Sequence, residues 1–272
     1  MRSYFLLKNK KLAYNQKKEE KMTVKLPQKK SEIKTELFSY HWLIYGVPKI
    51  GKTTFASQFN NPLFICTEDR HKALSIYKLP ERGAINSWQE LKDIFNGIDL
   101  EIKNGTFKFK TIVIDTVDNA YKFCRDYTNK KMGVEHESDI GFGKGWQAIK
   151  QEFFKVFSTL TSLGVAVIFI SHAEEKSMND KVMEYMKLTP SLETTGKKVI
   201  WPLVDIIACV KYSTDKDKAD ERVLVLKGSE TVEAGCSIPQ NSSIPAVMPL
   251  DYDAIQKEFE KGVKTNGTKT TK

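Results

Sequence analysis

The segment Gly46-Val47-Pro48-Lys49-Ile50-Gly51-Lys52-Thr53 fits the pattern G-x-x-x-x-G-K-[S/T], and no other stretch of this 272-residue chain limits its possible folds so severely. Glycines at the two fixed positions let the backbone curl without Cβ clashes. Successive N–H groups then point inward as a nest for an anion, and the helix that follows adds its positive end. In such a loop Lys52 reaches the β- and γ-phosphates of a nucleoside triphosphate and the Thr53 hydroxyl ligates Mg²⁺, with Thr54 beside it in the first helical turn. The flanks agree with this use: His41–Tyr45 reads as a short apolar strand, and Thr53–Phe59 opens a helix.

Downstream, strands and helices alternate. Pro62–Cys66, Thr111–Ile114 and Val165–Ile170 are apolar enough to be strands buried on both faces, as parallel strands are. Ser87–Gly97 carries Trp88, Leu91, Ile94 and Phe95 at helical spacing. Asp118–Met132 and Trp146–Leu163 read as helices separated by a Gly-rich loop, Val204–Val210 and Arg222–Leu226 as strands, and Asp251–Phe259 as a terminal helix. Residues 173–198 are polar and Lys-rich and are expected to form a loop. The alternation predicts an α/β fold with a mostly parallel, doubly wound sheet flanked by helices.

A phosphate loop needs a carboxylate on a neighbouring strand to hold the water shell of Mg²⁺. Asp115 ends the run Thr111-Ile112-Val113-Ile114 and is expected in that role, with Asp118 as a supporting acid or a helix cap. Hydrolysis also needs a base to orient water. Glu68 follows the strand Pro62–Cys66, at the sheet edge where ligands bind in open α/β folds, and Asp69 competes with it. His172 follows the strand Val165–Ile170 and is placed to touch the γ-phosphate or its water. No Asn/Thr-Lys-x-Asp guanine-reading motif follows Asp115, so ATP is the expected nucleotide.

The formal net charge is +9, and it lies in the tails. Residues 1–36 hold 11 Lys/Arg against 4 Asp/Glu, and residues 261–272 hold 4 Lys and no acid, which leaves the span 37–260 slightly negative. The expected organisation is therefore a basic disordered arm (1–36), an ATPase domain (37–260) and a basic disordered tail (261–272). Lys17-Lys18-Glu19-Glu20-Lys21 is a peptide that a purine-rich ribosome-binding site would encode, so translation is expected to begin at Met22. Cys66, Cys124, Cys209 and Cys236 form no C-x-x-C pair, which argues against a zinc site or a disulfide framework. Cys66 and Cys209 fall in apolar runs, as small core residues do. No apolar run reaches the roughly 20 residues of a membrane span, so the expected location is the cytoplasm, that of the host if a phage encodes the protein.

Taken in order, the loop at 46–53, Leu63-Phe64-Ile65-Cys66-Thr67-Glu68, Ile112-Val113-Ile114-Asp115 and Ile168-Phe169-Ile170-Ser171-His172 resemble the RecA-like ATPases, most closely a phage-type branch that includes single-strand-annealing recombination ATPases. Gly141-Phe142-Gly143-Lys144-Gly145-Trp146 looks like that branch's Gly-rich stretch before a long helix. The resemblance covers about 40–230. It implies Glu68 as catalytic glutamate, His172 as γ-phosphate sensor, a homo-oligomer, and a Lys or Arg reaching the site from a neighbouring subunit, for which Lys227 is the candidate. It also implies two loops that touch single-stranded DNA, at about 130–146 and 173–198. The first holds Lys130, Lys131 and Lys144; the second holds Lys176, Lys181, Lys187, Lys197 and Lys198, with Tyr185 to stack on a base. The chain departs from the bacterial recombinases in lacking an obvious N-terminal polymerisation helix and a clear C-terminal DNA-binding domain, which puts filament formation in question.

The function expected is thus an ATP-hydrolysing protein acting on single-stranded DNA in recombination or annealing, with a single-stranded-DNA-binding protein or a helicase as a further partner. A helicase-loader or replication-accessory switch is the alternative, although the span 37–260 has only Arg70, Arg82, Arg125 and Arg222 to supply an arginine finger. A small-molecule kinase would need an Arg-rich lid, and none is visible.

Overall fold

Strands that are apolar on both faces must be covered on both faces, and the helices of this chain divide to do so. The structure is a computed structural model that describes residues 26–31, 34–179, 184–238 and 244–267, with side chains of the last helix through Gly262. Residues 1–33 form one unit and 34–272 another; of the first, only 26–31 are described, without helix or strand. Met22, Lys181 and the tail beyond 267 lie outside the described residues.

The second unit contains β1 (Trp42–Gly46), α1 (Lys52–Ala56), β2 (Pro62–Cys66), β3 (Tyr77–Leu79), α2 (Trp88–Lys103), β4 (Thr111–Asp115), α3 (Val117–Met132), α4 (Lys144–Thr161), β5 (Ala166–Asn179) and β6 (Glu184–Pro190). These are followed by α5 (Thr194–Ile200), β7 (Ile206–Tyr212), β8 (Arg222–Val225), β9 (Gly235–Cys236), β10 (Val247–Pro249) and α6 (Tyr252–Gly267). The sheet order is β10-β8-β7-β1-β5-β4-β2-β3, with β6 paired to β5 and β9 to β7. From β7 to β3 every neighbouring pair is parallel. The antiparallel additions are β8, β10, β9 and β6. This is the mostly parallel α/β sheet that the alternation predicts.

Successive residues of a strand point to opposite faces, and each face has its own core. On one, Leu43, Ile65, Ile112, Ile114, Val167 and Phe169 pack with Trp88 and Leu91 of α2, Tyr121 of α3, and Phe153 and Phe157 of α4. On the other, Trp42, Ile44, Phe64, Val113, Ile168 and Ile170 pack with Phe55 of α1 and with Ile255 and Phe259 of α6. Cys66 and Cys209 are buried, as their apolar surroundings predict. Ser87 caps α2 by accepting the Glu90 N–H, and the Glu90 carboxylate reaches back to the Asn86 N–H.

Two boundaries differ from the sequence reading. Residues 173–179 and 184–190 form an antiparallel strand pair rather than a loop: β5 runs on past its buried half, and Ala173–Asn179 pairs with Glu184–Pro190. One face carries Ala173, Met186, Leu188 and Pro190, of which Ala173 and Leu188 pack on a small cluster with Tyr45 and Val232, while Glu174, Glu175, Lys176 and Lys187 make the stretch read as polar in sequence. Helix α6 runs to Gly267, past the expected domain edge at 260, because Ile255 and Phe259 anchor it to the core one turn apart. At the other end, Gln256 donates to the Thr35 carbonyl and accepts from the Leu37 N–H, so residues 35 and 37 are tied to α6.

Candidate nucleotide-binding site

The loop leaves β1 at Gly46, which sits between His172 of β5 and Val210 of β7. A Cβ on Gly46 would lie 2.4 Å from the Val210 carbonyl oxygen, so only glycine lets β7 pack here. At the far end Gly51 has φ 104°, in the left-handed region. Helix α1 starts at once, and as in any first helical turn its leading N–H groups have no carbonyl one turn back. Lys52 is buried, and its Nζ donates to the carbonyls of Gly46 at 2.8 Å and Val47 at 3.0 Å. Burial pulls its pKa down, opposed by Asp115, Asp118 and Glu68. The ammonium thus rests on the loop it would leave to meet a phosphate.

Asp115 ends β4 two strands away, and Thr53 Oγ1 donates to its Oδ2 at 2.8 Å. Two hard oxygens at the mouth of an anion nest suit Mg²⁺; here Thr53 and Asp115 would hold it, and the ion would supply charge neutralisation of the phosphates. The same Oδ2 lies 3.0 Å from His71 Nε2, which is also 4.0 Å from Cys66 Sγ. The hydrogen bond to Asp115 and then that to Cys66 push the His71 pKa up to about 10. His71 was missed in the sequence because it lies in a polar connection with no motif around it. Behind these groups Thr67 Oγ1 accepts the Thr116 N–H at 2.7 Å and donates to the Thr116 carbonyl, and Thr67 N–H donates to the Asp115 carbonyl. The ends of β2 and β4 are therefore cross-tied, which sets Glu68 beside Asp115.

Glu68 Oε1 accepts from Asn119 Nδ2 at 3.2 Å and lies 3.3 Å from His172 Nε2, while Oε2 is 3.4 Å from Arg70. The His172 hydrogen bond, more than any other contact, holds the Glu68 carboxyl below its usual range. The competing Asp69 is exposed and makes no such contacts. Asp118 is buried one turn from Asp115 and accepts from Ser171 Oγ at 2.9 Å, Ser191 Oγ at 2.7 Å and His172 N–H at 3.3 Å. It thus links the start of α3 to the middle of β5, where His172 sits, and to the segment after β6. An open cavity of about 360 Å³ is lined by loop residues 48–49 and 51–54 with Glu68, Arg70, His71, Asp115 and His172. The structure brings Lys52, Thr53, Glu68, Asp115 and His172 to one place, and adds His71, Asn119 and Arg70.

The residues expected to meet DNA fare unevenly. Lys130 and Lys131 are exposed in the last turn of α3, and Lys144 is exposed at the start of α4. Lys176 and Lys187 are half-buried and directly opposite on β5 and β6, and Tyr185 is half-buried. Lys198 is exposed on α5. Lys197 is corrected: it is buried, donates to Thr189 Oγ1 at 2.8 Å and to Glu174 Oε1 at 3.3 Å, and is unable to track a backbone in solvent. Its helix packs against α4, and helical geometry turns Lys197 inward toward Thr189 while Lys198 faces out. Lys227 follows β8, its N–H donating to the Ala246 carbonyl.

A glycine loop at a strand end, a hydroxyl joined to a strand-end aspartate and a buried lysine over the loop define a P-loop nucleotide-binding protein. The AAA domain family matches residues 39–237, and the chain belongs to that family. An uncharacterized protein, YorG, derived from the SPbeta prophage of Bacillus subtilis strain 168 is 26% identical over 183 residues, which is 67% of this chain and 53% of the relative. The chain thus spans about half the length of that relative. A KaiC-like protein of the archaeon Pyrococcus horikoshii OT3 superposes with a TM-score of 0.40 at 14% identity, over 71% of this chain and 80% of that one. No helix among the described residues is long and apolar enough to cross a membrane.

Proposed function

We propose that this protein binds Mg·ATP at the 46–54 loop and hydrolyses it. The observation that carries the reading is the meeting of Thr53 with Asp115 at 2.8 Å, beside the Glu68–His172 pair. Lys52 leaves its two loop carbonyls for the phosphates. Glu68 takes a proton from water as the water oxygen bonds to the γ-phosphorus. The bond from that phosphorus to the bridging oxygen breaks, and ADP leaves with the electron pair. His172 shares Glu68 and neighbours Asp118, so a change at the γ-phosphate reaches Ser191 and the hairpin base through two hydrogen bonds.

The finer reading is action on single-stranded DNA in phage-type recombination or annealing. It is supported by exposed Lys130, Lys131 and Lys144 near one another in sequence, and by a prophage relative. The oligomer and the part of Lys227 in trans belong to the same proposal. One observation favours the alternative, a helicase-loader or accessory switch: the described hairpin residues 173–179 and 184–190 hold three carboxylates against two lysines, a poor surface for phosphates. The test is phosphate release from ATP by the purified chain, alone, with single-stranded DNA, and with a replicative helicase. DNA stimulation that falls with salt supports recombination. Stimulation by the helicase alone supports the switch. No turnover in any arm, with no binding of Mg·ATP, overturns both.

A further inference from the structure

We propose that Arg222 is a phosphate-binding residue of the nucleotide site, supplied by the same chain from the start of β8. The proposal rests on the reading of the 46–54 loop as a nucleotide site and adds a cation that no sequence motif announces. Arg222 opens β8 opposite Tyr212, and its carbonyl accepts the Leu250 N–H at 3.0 Å, which fixes its backbone. Its guanidinium then lies against the phosphate loop: Nη1 is 2.8 Å, and Cζ 3.7 Å, from where a Cβ on Gly51 would stand. Any side chain at position 51 would push the guanidinium away, so Gly51 serves both the turn and this approach.

The charge around that contact is unbalanced. Arg70 pairs with Glu68, and Arg125 pairs with Glu193 and Asp126. Arg222 is exposed and has no carboxylate partner among the described residues. Lys49 and Lys52 of the phosphate loop line the cavity beside Gly51. A polyanion held in the loop would draw an exposed guanidinium that already stands against Gly51. A guanidinium offers forked donors matched to phosphate oxygens. Arg222 therefore adds a point of phosphate capture beside Gly51, next to the cavity that Gly51 and Lys52 line.

The test is calorimetric titration of the full chain with ADP, inorganic pyrophosphate and adenosine, comparing wild type with Arg222→Gln, which removes the charged fork that stands against Gly51. Arg222→Lys, with charge but no fork, is the second variant. Thermal melting without ligand checks that both remain folded. Loss of a charge-assisted contact of this kind corresponds to a roughly tenfold or greater rise in Kd. That rise is expected for ADP and pyrophosphate alike in Arg222→Gln, with a smaller one in Arg222→Lys. An unchanged Kd for both ligands overturns the proposal and leaves the nucleotide site standing. A weaker ADP with unchanged pyrophosphate also overturns it, by placing Arg222 on the nucleoside. A wild type that binds neither ligand, and behaves as Lys52→Ala does, removes the site itself and this proposal with it.

Discussion

Thr53 and Asp115 stand 62 positions apart in the chain, yet the threonine hydroxyl donates to the aspartate carboxylate at 2.8 Å. The contact joins the start of α1 to the end of β4 across β5, which lies between their strands. Asp115→Asn removes the charge and keeps the shape. Turnover of ATP is expected to fall roughly a hundredfold or more, while ADP without Mg²⁺ binds as before. Phosphate release measured across a Mg²⁺ titration checks this; wild-type turnover in the variant would remove Asp115 from the site.

Glu68 is the proposed base, so Glu68→Gln should cost roughly a hundredfold to ten-thousandfold in turnover with little change in nucleotide affinity. His172 contributes most to the depressed pKa of Glu68. A lowered carboxyl pKa keeps the base ionised further into acid, so His172→Ala should raise that pKa and move the acid limb of the rate profile to higher pH. Turnover measured from pH 4 to 8 in both proteins decides it, and coincident acid limbs would refute the pairing.

Asp118 satisfies two hydroxyls and an N–H in the interior. Asp118→Ala leaves those donors without an acceptor, at about 1–3 kcal/mol for each group that finds no other. The expected outcome is a clear drop in melting temperature and faster hydrogen exchange at Ser171, His172 and Ser191. Asp118→Asn, which retains one acceptor, should lose less.

Acid should weaken the fold at His41. Its Nδ1 accepts the Val167 N–H at 3.0 Å, and burial, more than any other influence, lowers its pKa. A base with a lowered folded pKa binds its proton more readily when unfolded. The stability it contributes is therefore present above the ordinary histidine value of about 6.5 and is lost as pH falls below it toward the folded pKa. Denaturant melts at pH 7.5 and 5.5 should show the loss, and His41→Gln should reduce this pH dependence.

Much of the site was legible before the fold was known. The loop, Asp115, Glu68 and His172 each follow a run whose own pattern marks a buried strand, and ligands gather at strand ends in such sheets. His71, Asn119 and Arg222 were not legible as site residues. His71 sits in a connection, Asn119 inside a helix and Arg222 at a strand start, and none carries a local pattern that tells it from a surface residue. Lys197 was misread for the same reason: its neighbour Lys198 is exposed, and only the packing of α5 separates the two.

Local composition alone determined that this chain has a phosphate loop, a parallel sheet and acids at the ends of particular strands, because hydrophobic period and glycine placement act over a few residues. Tertiary structure decided which acids share an oxygen with which donors, that residues 173–179 and 184–190 form a strand pair, and that Arg222 comes to rest on Gly51. The acid contacts and the place of Arg222 depend on residues tens to hundreds of positions apart, brought together by sheet order, and the strand pair depends on a cross-strand register that its polar pattern does not announce.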